Sequence, residues 1–581
     1  MVVRAEHLFA ALWYCVCILS CIDTGQFVYA SLSQTLYPSV LGLLMIVVFG
    51  VYCIHERQVP TISIAQIPAI CLTVYVLLHG LFIKDPEIYK QGYLVCTLLL
   101  IVVLGQPAKT SVIESIHLEY GILLIAFVNI VYLIAQSIGI MDSGNSFFKM
   151  TGTTDNPNTA AIALAMSVPF VIHKIEQRKH IAGMYLFLAI AIALIIVLKC
   201  RTAYLGIGTI AIYLALRSAK TKQTVLRMAK TRSGILLASC IVMGLLLLLL
   251  SGYHWKKESA DGRLFIWQRA CEMISNNPFG YGYGKYEAEY NLYQSHYFST
   301  HRDAYLQSNL ATASGSAYND ILEHGVQGGL PGGALYLIFL LSSVCQAYHS
   351  KEKACSMALL AVLLMSMTNS IYCCISPWIM TIAAAAIGMK NCERRLSHQF
   401  IGSAIIGTVS VLSVLLLYRN VRLLVSQSVL KAYRNEQNYN IGDVEKLYPA
   451  IGTSEAYWRY RAECNERIND SFAADTCYTE ARKYTSAPLL LFKAAICKEQ
   501  VGDEDSALKM LTTAVFMLPK NFSLKYHLML MYDRTGDRKQ ARSVAEEIVS
   551  TPGKMHNESV NFIKAEAENY LKENNDTYIP Y

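Results

Sequence analysis

The apolar positions of this chain come in blocks. Residues 181–198 read IAGMYLFLAIAIALIIVL and residues 234–250 read GILLASCIVMGLLLLLL, each without a charge. Blocks of about 20 apolar residues match a hydrocarbon core about 30 Å thick. Windowing the chain predicts about thirteen such helices, centred near Leu12, Met45, Val74, Leu100, Val128, Ala165, Ala189, Thr209, Val242, Ile338, Leu363, Ala383 and Val409. The first follows MVVRAEH with no clear small-residue cleavage site, so it reads as a retained helix and not a leader. The expected fold class is all-α. A polytopic membrane bundle of about 12–13 spans occupies residues 1–418, a large loop at 251–328 interrupts it, and a soluble α-helical domain follows at 430–575.

Composition agrees: 54% of residues are hydrophobic and 16% charged, which exceeds the apolar content an ordinary soluble protein needs. The net charge of +8 does not indicate nucleic-acid binding, because the basic residues crowd short inter-helix loops. These loops are HER (55–57), HKIEQRKH (173–180), RSAKTKQTVLRMAKTR (217–232), HSKEK (349–353) and KNCERRLSHQ (390–399). All five fall on one side of the predicted spans, which the positive-inside trend makes cytoplasmic. The 251–328 loop and the tail then lie outside the cytoplasm. Most of the 17 cysteines sit in spans as small apolar residues. Cys464, Cys477 and Cys497 fall in the external tail, where disulfides are permitted but one thiol would be left over.

The tail repeats itself. Gly502-Asp503 recurs as Gly536-Asp537, and Ala507 as Ala541, at a period of about 34 residues. A weaker earlier copy is expected around Ala473 and the AYW at 456–458. That period is the length of a tetratricopeptide repeat, so two or three such repeats are expected, which would bind a protein partner or brace a neighbouring region. A generic set of helical hairpins is the plainer alternative.

Several polar residues stand where a membrane protein has a reason to avoid them. Lys199 and Arg201, in VLKCRTAYLG, lie at the outer ends of two spans, against the positive-inside trend. They either snorkel to the interface or bind an anion. Arg263 opens a segment with helical periodicity in which Leu264, Trp267, Ala270, Cys271 and Ile274 share a face. Pro278 ends it, and Gly280, Gly282 and Gly284 then alternate with aromatics in NPFGYGYGKY. No strand precedes this glycine run and no phosphate-loop lysine follows, so a nucleotide fold is not expected. Tight turns with exposed tyrosines suit a sugar or an isoprenoid chain, or simply an interfacial aromatic belt. His296 and His301 have no metal-ligand spacing, and no metal site or cofactor is expected.

Three stretches resemble the O-antigen ligase and polymerase superfamily of bacterial inner membranes. TGTTDNPNTAAIALAMSVPF (151–170) is similar to the family's G-x-x-x-N-x-N segment entering a span. KCRTAYLG matches its Ser-Arg-small-small segment at Arg201. Arg263, Trp267, Pro278, Gly280, Gly282 and Gly284 match a third motif. A fourth position is YNDILEHGVQGGLPG (318–332), where the family has His-Asn, nine residues, then Gly-x-x-Gly. Asn319, Gly329 and Gly332 keep that spacing. Tyr318 replaces the histidine, and Gln327 replaces a frequent glutamate. A polar helix cap ahead of a span would explain Asn319 and the glycines without catalysis.

The resemblance implies a bundle of GT-C type at the inner membrane, with loop and tail in the periplasm. It implies metal-independent, inverting transfer of a glycan from undecaprenyl-diphosphate to lipid A core. A polymerase acting on a second carrier-linked glycan, or a protein O-oligosaccharyltransferase, fits the same motifs. A lipid-linked glycan transporter or a scaffold is the non-enzymatic alternative, but the two halves show no inverted repeat. Arg201, Arg263 and Lys199 would hold the diphosphate, since guanidinium forks match phosphate oxygens. Tyr318, Asn319, Glu323 and His324 are the catalytic candidates, together with Asp320 as a proton acceptor. Tyrosine is a poor base at neutral pH, with a reference pKa near 10.

Overall fold

The computed structural model describes residues 2–27, 30–83, 88–107, 110–217, 257–301, 305–392, 399–552 and 558–573. Among these residues it is all-helical, a polytopic helix bundle carrying a helical tail. The bundle helices are α1 (Val2–Leu19), α2 (Ala30–His55), α3 (Ile67–Phe82), α4 (Ile88–Leu104), α5 (Ser115–Ser137), α6 (Pro157–Glu176), α7 (Ile181–Leu198) and α8 (Arg201–Arg217). Next come α9 (Lys257–Asn276) and α10 (Tyr286–Thr300) of the large loop. They are followed by α11 (Asp320–His349), α12 (Lys353–Ser366), α13 (Ile375–Lys390) and α14 (Gln399–Asn435). Among the described residues seven helices are long and apolar enough to cross a membrane, and four shorter apolar ones accompany them. Twelve of the thirteen expected span centres fall inside helices; the one near Val242 lies outside the described residues.

Packing separates inner from outer helices. In α6, Ala160, Ala161, Ala163 and Ala165 are fully enclosed, and in α13 so are Ala383, Ala384, Ala385 and Ala386. Small side chains let backbones approach closely where lipid supplies no hydrophobic drive between helices. By contrast α7 is apolar all round and buries little, as a helix at the periphery of a membrane bundle should.

The described parts of the basic loops gather at one end of the bundle. Lys353 lies 3.6 Å from Glu176, joining 349–353 to 173–180. Asn391 donates to Glu352 at 2.8 Å, and Lys390 to Ser111 at 2.8 Å. Gly402, at the start of α14, lies against the Pro60 carbonyl, a few residues past His55-Glu56-Arg57. The 217–232 loop lies almost wholly outside the described residues. Arg201, α9, α10 and the start of α11 occupy the opposite end.

No linker separates bundle from tail: α14 is one helix of 37 residues running through the expected boundary at 418–430. At 1.5 Å per residue it is about 55 Å long, enough to cross the bundle and project beyond it. Among the described residues two short helices, Ile441–Glu445 and Tyr448–Ile451, follow, and then seven longer ones: α15 (Glu455–Arg467), α16 (Ser471–Ala481), α17 (Pro488–Val501), α18 (Glu504–Met517), α19 (Phe522–Arg534), α20 (Arg538–Ser550) and α21 (Glu558–Glu573). Asn469, Gly502 and Gly536 all turn with positive φ, and the aspartate after each caps the next helix. Ala474, Ala507 and Ala541 are each fully buried one turn later. In the earliest of these three turns the buried alanine is Ala474, one residue past the expected Ala473. Cys464, Cys477 and Cys497 are buried free thiols packed among these helices.

The tail folds back onto the bundle. Leu36 of α2 and Leu423 and Leu430 of α14 share a core with Val444, Ile451, Tyr457 and Leu490. Gln294 and Ser295 of α10 donate to the carbonyls of Met517 and Thr513 at 2.7 and 2.9 Å. Ser486 donates to the Glu287 carbonyl at 2.9 Å.

Candidate functional site

The polarity and glycines of residues 318–332 have a local explanation. Asn319 caps α11, its side-chain oxygen accepting from the amides of Ile321 and Leu322 at 3.0 and 3.1 Å. After nine intervening residues, Gly329 breaks the helix at φ +67, ψ −172, a conformation essentially confined to glycine. The break frees carbonyls, and the glycine-rich loop after α9 uses them. Tyr281 donates to Val326 at 3.0 Å and Gly282 to Gln327 at 2.8 Å, while Leu330 donates back to Pro278 at 2.9 Å. Gly280 and Gly329 meet backbone to backbone, leaving no space for a Cβ on either. Gly284 donates to the Gln327 side chain at 2.5 Å. Tyr283 lies against Gly328 and Gly332. The amides of Tyr281, Gly282 and Gly284 are thus spent on α11, and the glycine run builds the loop instead of binding a ligand. Trp267 adds a strut, donating to the Ala317 carbonyl at 3.0 Å.

One expectation for α9 is corrected. Leu264 and Cys271 are exposed; the buried stripe is Ile266, Ala270 and Met273, with Trp267 and Ile274 beside it. The helix is clamped between α11 and α10, with Phe265 stacked on Phe298, which rotates the stripe away from the simple periodicity.

This scaffold brings the two arginines together. Arg201 sits at the first turn of α8 and donates to Ser259 of α9 at 3.2 Å. Arg263, one turn further along α9, donates to the Thr368 carbonyl at 2.5 Å and lies 5.2 Å from the centre of the Tyr318 ring. Burial, and then the neighbouring positive charge of Arg201, lower the Arg263 pKa from the usual arginine value. No carboxylate among the described residues forms an ion pair with Arg263. Tyr318 holds its ring there from a left-handed backbone, φ +50, which is uncommon for a bulky residue. Asn319 donates to the Met367 carbonyl at 3.1 Å, so both 318 and 319 are fastened around the 367–368 turn. Lys199, exposed and left-handed at φ +50, terminates α7 just before Cys200 and Arg201.

The acidic and histidine candidates lie deeper. Asp320 is fully buried and accepts from Tyr336 at 2.7 Å and from the Ile371 amide at 2.8 Å. His324 is fully buried, stacked on Tyr336 at 4.0 Å between ring centres, with Nδ1 3.3 Å from the Tyr283 hydroxyl. These two, expected as proton acceptors, are enclosed among aromatic side chains, and His324 Nε2 is buried with no partner among the described residues. Glu323 is surrounded by donors: Ala317 N at 3.0 Å, Ser370 at 2.8 Å, Tyr372 at 2.9 Å, Cys373 at 3.2 Å and Gln327 at 3.4 Å. The residues of 367–373 that complete this network were not anticipated from the sequence. The run TNSIYCC carries no spacing signal beyond unusual polarity between two apolar helices.

A cavity of about 570 Å³ opens on the other side of Glu323. Bundle, loop and tail all contribute to its wall, but neither Arg201 nor Arg263 does. No cluster of residues that could hold a metal ion occurs among the described residues.

Residues 159–337 match the model of the O-antigen ligase family. That span contains Arg201, Arg263, Asn319 and both glycines of the kink. It supports glycan transfer of the O-antigen ligase type in general. No curated protein matches the chain.

Proposed function

We propose that this protein transfers a glycan from an undecaprenyl-diphosphate carrier to an acceptor at the membrane face opposite the basic loops, the periplasmic face of a bacterial inner membrane. The observation that carries the reading is the pairing of Arg263 with Arg201, two neighbouring cations, with no carboxylate among the described residues in an ion pair with Arg263. Keeping such a pair together is unfavourable unless a multivalent anion joins it, and fork-shaped guanidinium groups fit a diphosphate.

The chemistry asked of the site is limited. The acceptor hydroxyl oxygen attacks the anomeric carbon from the face opposite the diphosphate, which inverts that centre. The sugar–phosphate bond breaks with its electron pair on the leaving diphosphate, and the hydroxyl proton passes to a diphosphate oxygen or to water. Charge develops on the leaving group, so donors fixed beforehand stabilise the transition state more than the ground state. Arg201 and Arg263 are the diphosphate-binding residues, with exposed Lys199 adding long-range attraction. Tyr318 positions Arg263 by its ring, since a cation over an aromatic face is held by the ring quadrupole. Glu323 organises the 367–373 turn and Asn319 fastens the helix end to it.

An O-antigen ligase acting on a lipid A core is the favoured form. A polymerase and a protein O-oligosaccharyltransferase share the same donor chemistry. The tail reads as tetratricopeptide-like repeats that brace α10 of the loop. The test is a deletion strain complemented with wild type, Arg201→Ala or Arg263→Ala. Both variants should insert normally and fail to transfer, and the glycan profile names the acceptor: bare core, single-unit glycan or unmodified protein. Normal transfer by both variants overturns the reading.

A further inference from the structure

The cavity beyond Glu323 is a second compartment, and its chemistry differs from that of the arginine pair. Tyr93 of α4 and Tyr286 at the start of α10 line it. They are 8% and 2% exposed, and their buried hydroxyls have no hydrogen-bond partner among the described residues. Buried hydroxyls are almost always satisfied, so two orphans on one cavity wall call for a ligand or ordered water carrying donors and acceptors. Glu287, Glu323 and Glu455 also line the wall, against one cation, Arg459, which lies 3.2 Å from Glu455. Three carboxylates to one guanidinium disfavour a phosphate. Tyrosine faces with carboxylate acceptors suit a neutral polyhydroxylated ligand, which needs flat apolar contact and many acceptors at once.

We propose that this cavity is the acceptor-sugar subsite, and that the tail, outside the matched family region, supplies one of its walls through Ser454, Glu455, Ala456, Arg459, Tyr484 and Thr485. The proposal rests on the glycan-transfer reading, for which it names the second substrate's binding site. It places diphosphate and acceptor on opposite sides of the Glu323 network. Glu323 lines the cavity, and it also holds the Ala317 amide, next to the Tyr318 ring that covers Arg263. The position of the tail supports the same assignment. Thr485 donates to Glu287 at 3.2 Å and Ser486 to its carbonyl, so the tail wall is tied to the loop wall by direct hydrogen bonds.

The test uses the purified full chain in detergent and, as probe, neutral oligosaccharides released by mild acid from the host's own outer-membrane glycolipid. Saturation-transfer NMR on wild type should show contact. Ala456→Trp, which fills the cavity from the tail side, should abolish it. Tyr286→Phe, which removes one orphan hydroxyl with almost no change of shape, should weaken it roughly three- to tenfold. Arg201→Ala and Arg263→Ala should retain it, which separates a failure of the diphosphate assignment from a failure of this one. Unchanged oligosaccharide contact in both Ala456→Trp and Tyr286→Phe overturns the proposal. So does displacement of the probe by undecaprenyl monophosphate in wild type, which would make the cavity a carrier-lipid site.

Discussion

Two cations at opposite ends of the bundle, one buried and one half-buried, have opposite surroundings. At the basic-loop end, Lys174 is 1% exposed and pairs directly with the carboxylate of Glu119, itself 8% exposed. At the other end, Arg263 has a carbonyl, a tyrosine face and a second arginine for company. Lys174 is charge-balanced by its own chain and needs nothing more. Among the described residues no carboxylate forms an ion pair with Arg263, and the proposed diphosphate would balance it. Burial alone therefore does not set the proposed diphosphate-binding cation apart; what does is the lack of an ion pair among the described residues.

The contrast can be broken at either end. The largest effect is expected at the arginine pair: Arg263→Ala or Arg201→Ala should lower turnover on the carrier-linked glycan by roughly 10²–10³-fold, the scale of losing one preorganised donor. The unfolding midpoint should change little. The reverse split is expected for Lys174→Met, which strands a buried carboxylate: stability should fall by about 3–5 kcal/mol. The turnover of the folded fraction should persist, and adding Glu119→Leu should recover much of the stability. An Arg263→Ala variant as unstable as Lys174→Met would erase the distinction.

Smaller effects sharpen it. Gly329→Ala forces a Cβ against the Pro278–Phe279 backbone at a φ, ψ pair that costs other residues about 1–3 kcal/mol. It should unseat the glycine loop and lower thermal stability and turnover together. Tyr318→Phe keeps the ring beside Arg263 and should lose less than about threefold, because the cation–π contact is worth only about 0.5–2 kcal/mol and does not need the hydroxyl. A loss of a hundredfold would instead make that hydroxyl a participant in proton transfer. The smallest effect expected is that of EDTA: turnover should be unchanged, since two guanidinium groups supply the positive charge that a metal would otherwise bring.

Much of the fold was legible because membrane helices announce themselves. A block of 18 apolar residues such as α7 has few alternatives, and the basic loops sort the ends. The glycine motif was legible as architecture: Gly280, Gly282, Gly284 and Gly329 all carry positive φ, and their spacing reflects two backbones in contact. The site was only partly legible. Arg201 and Arg263 stood out because charges near the membrane are costly, yet nothing in their spacing requires them to meet. Their meeting depends on α8 and α9 packing against the turn at 367–368. For Asp320 and His324 the sequence could not show depth: polarity near a helix start reads as reactivity, and both side chains are fully buried, Asp320 against Tyr336 and His324 between Tyr283 and Tyr336. The cavity wall from the tail was invisible, because Tyr484 and Arg459 come near Tyr286 only through folding of a domain that a continuous α14 swings back over the loop.

Binding of undecaprenyl diphosphate, which carries the leaving-group charge in full, addresses the arginine pair most directly. Its dissociation constant should be measured for wild type, Arg201→Ala, Arg263→Ala, the double variant and Lys174→Met at fixed salt. If the pair holds the diphosphate, each arginine substitution weakens binding at least tenfold, the double loses less than the sum of the two, and Lys174→Met binds like wild type. Equal affinity for wild type and both arginine variants would contradict the assignment.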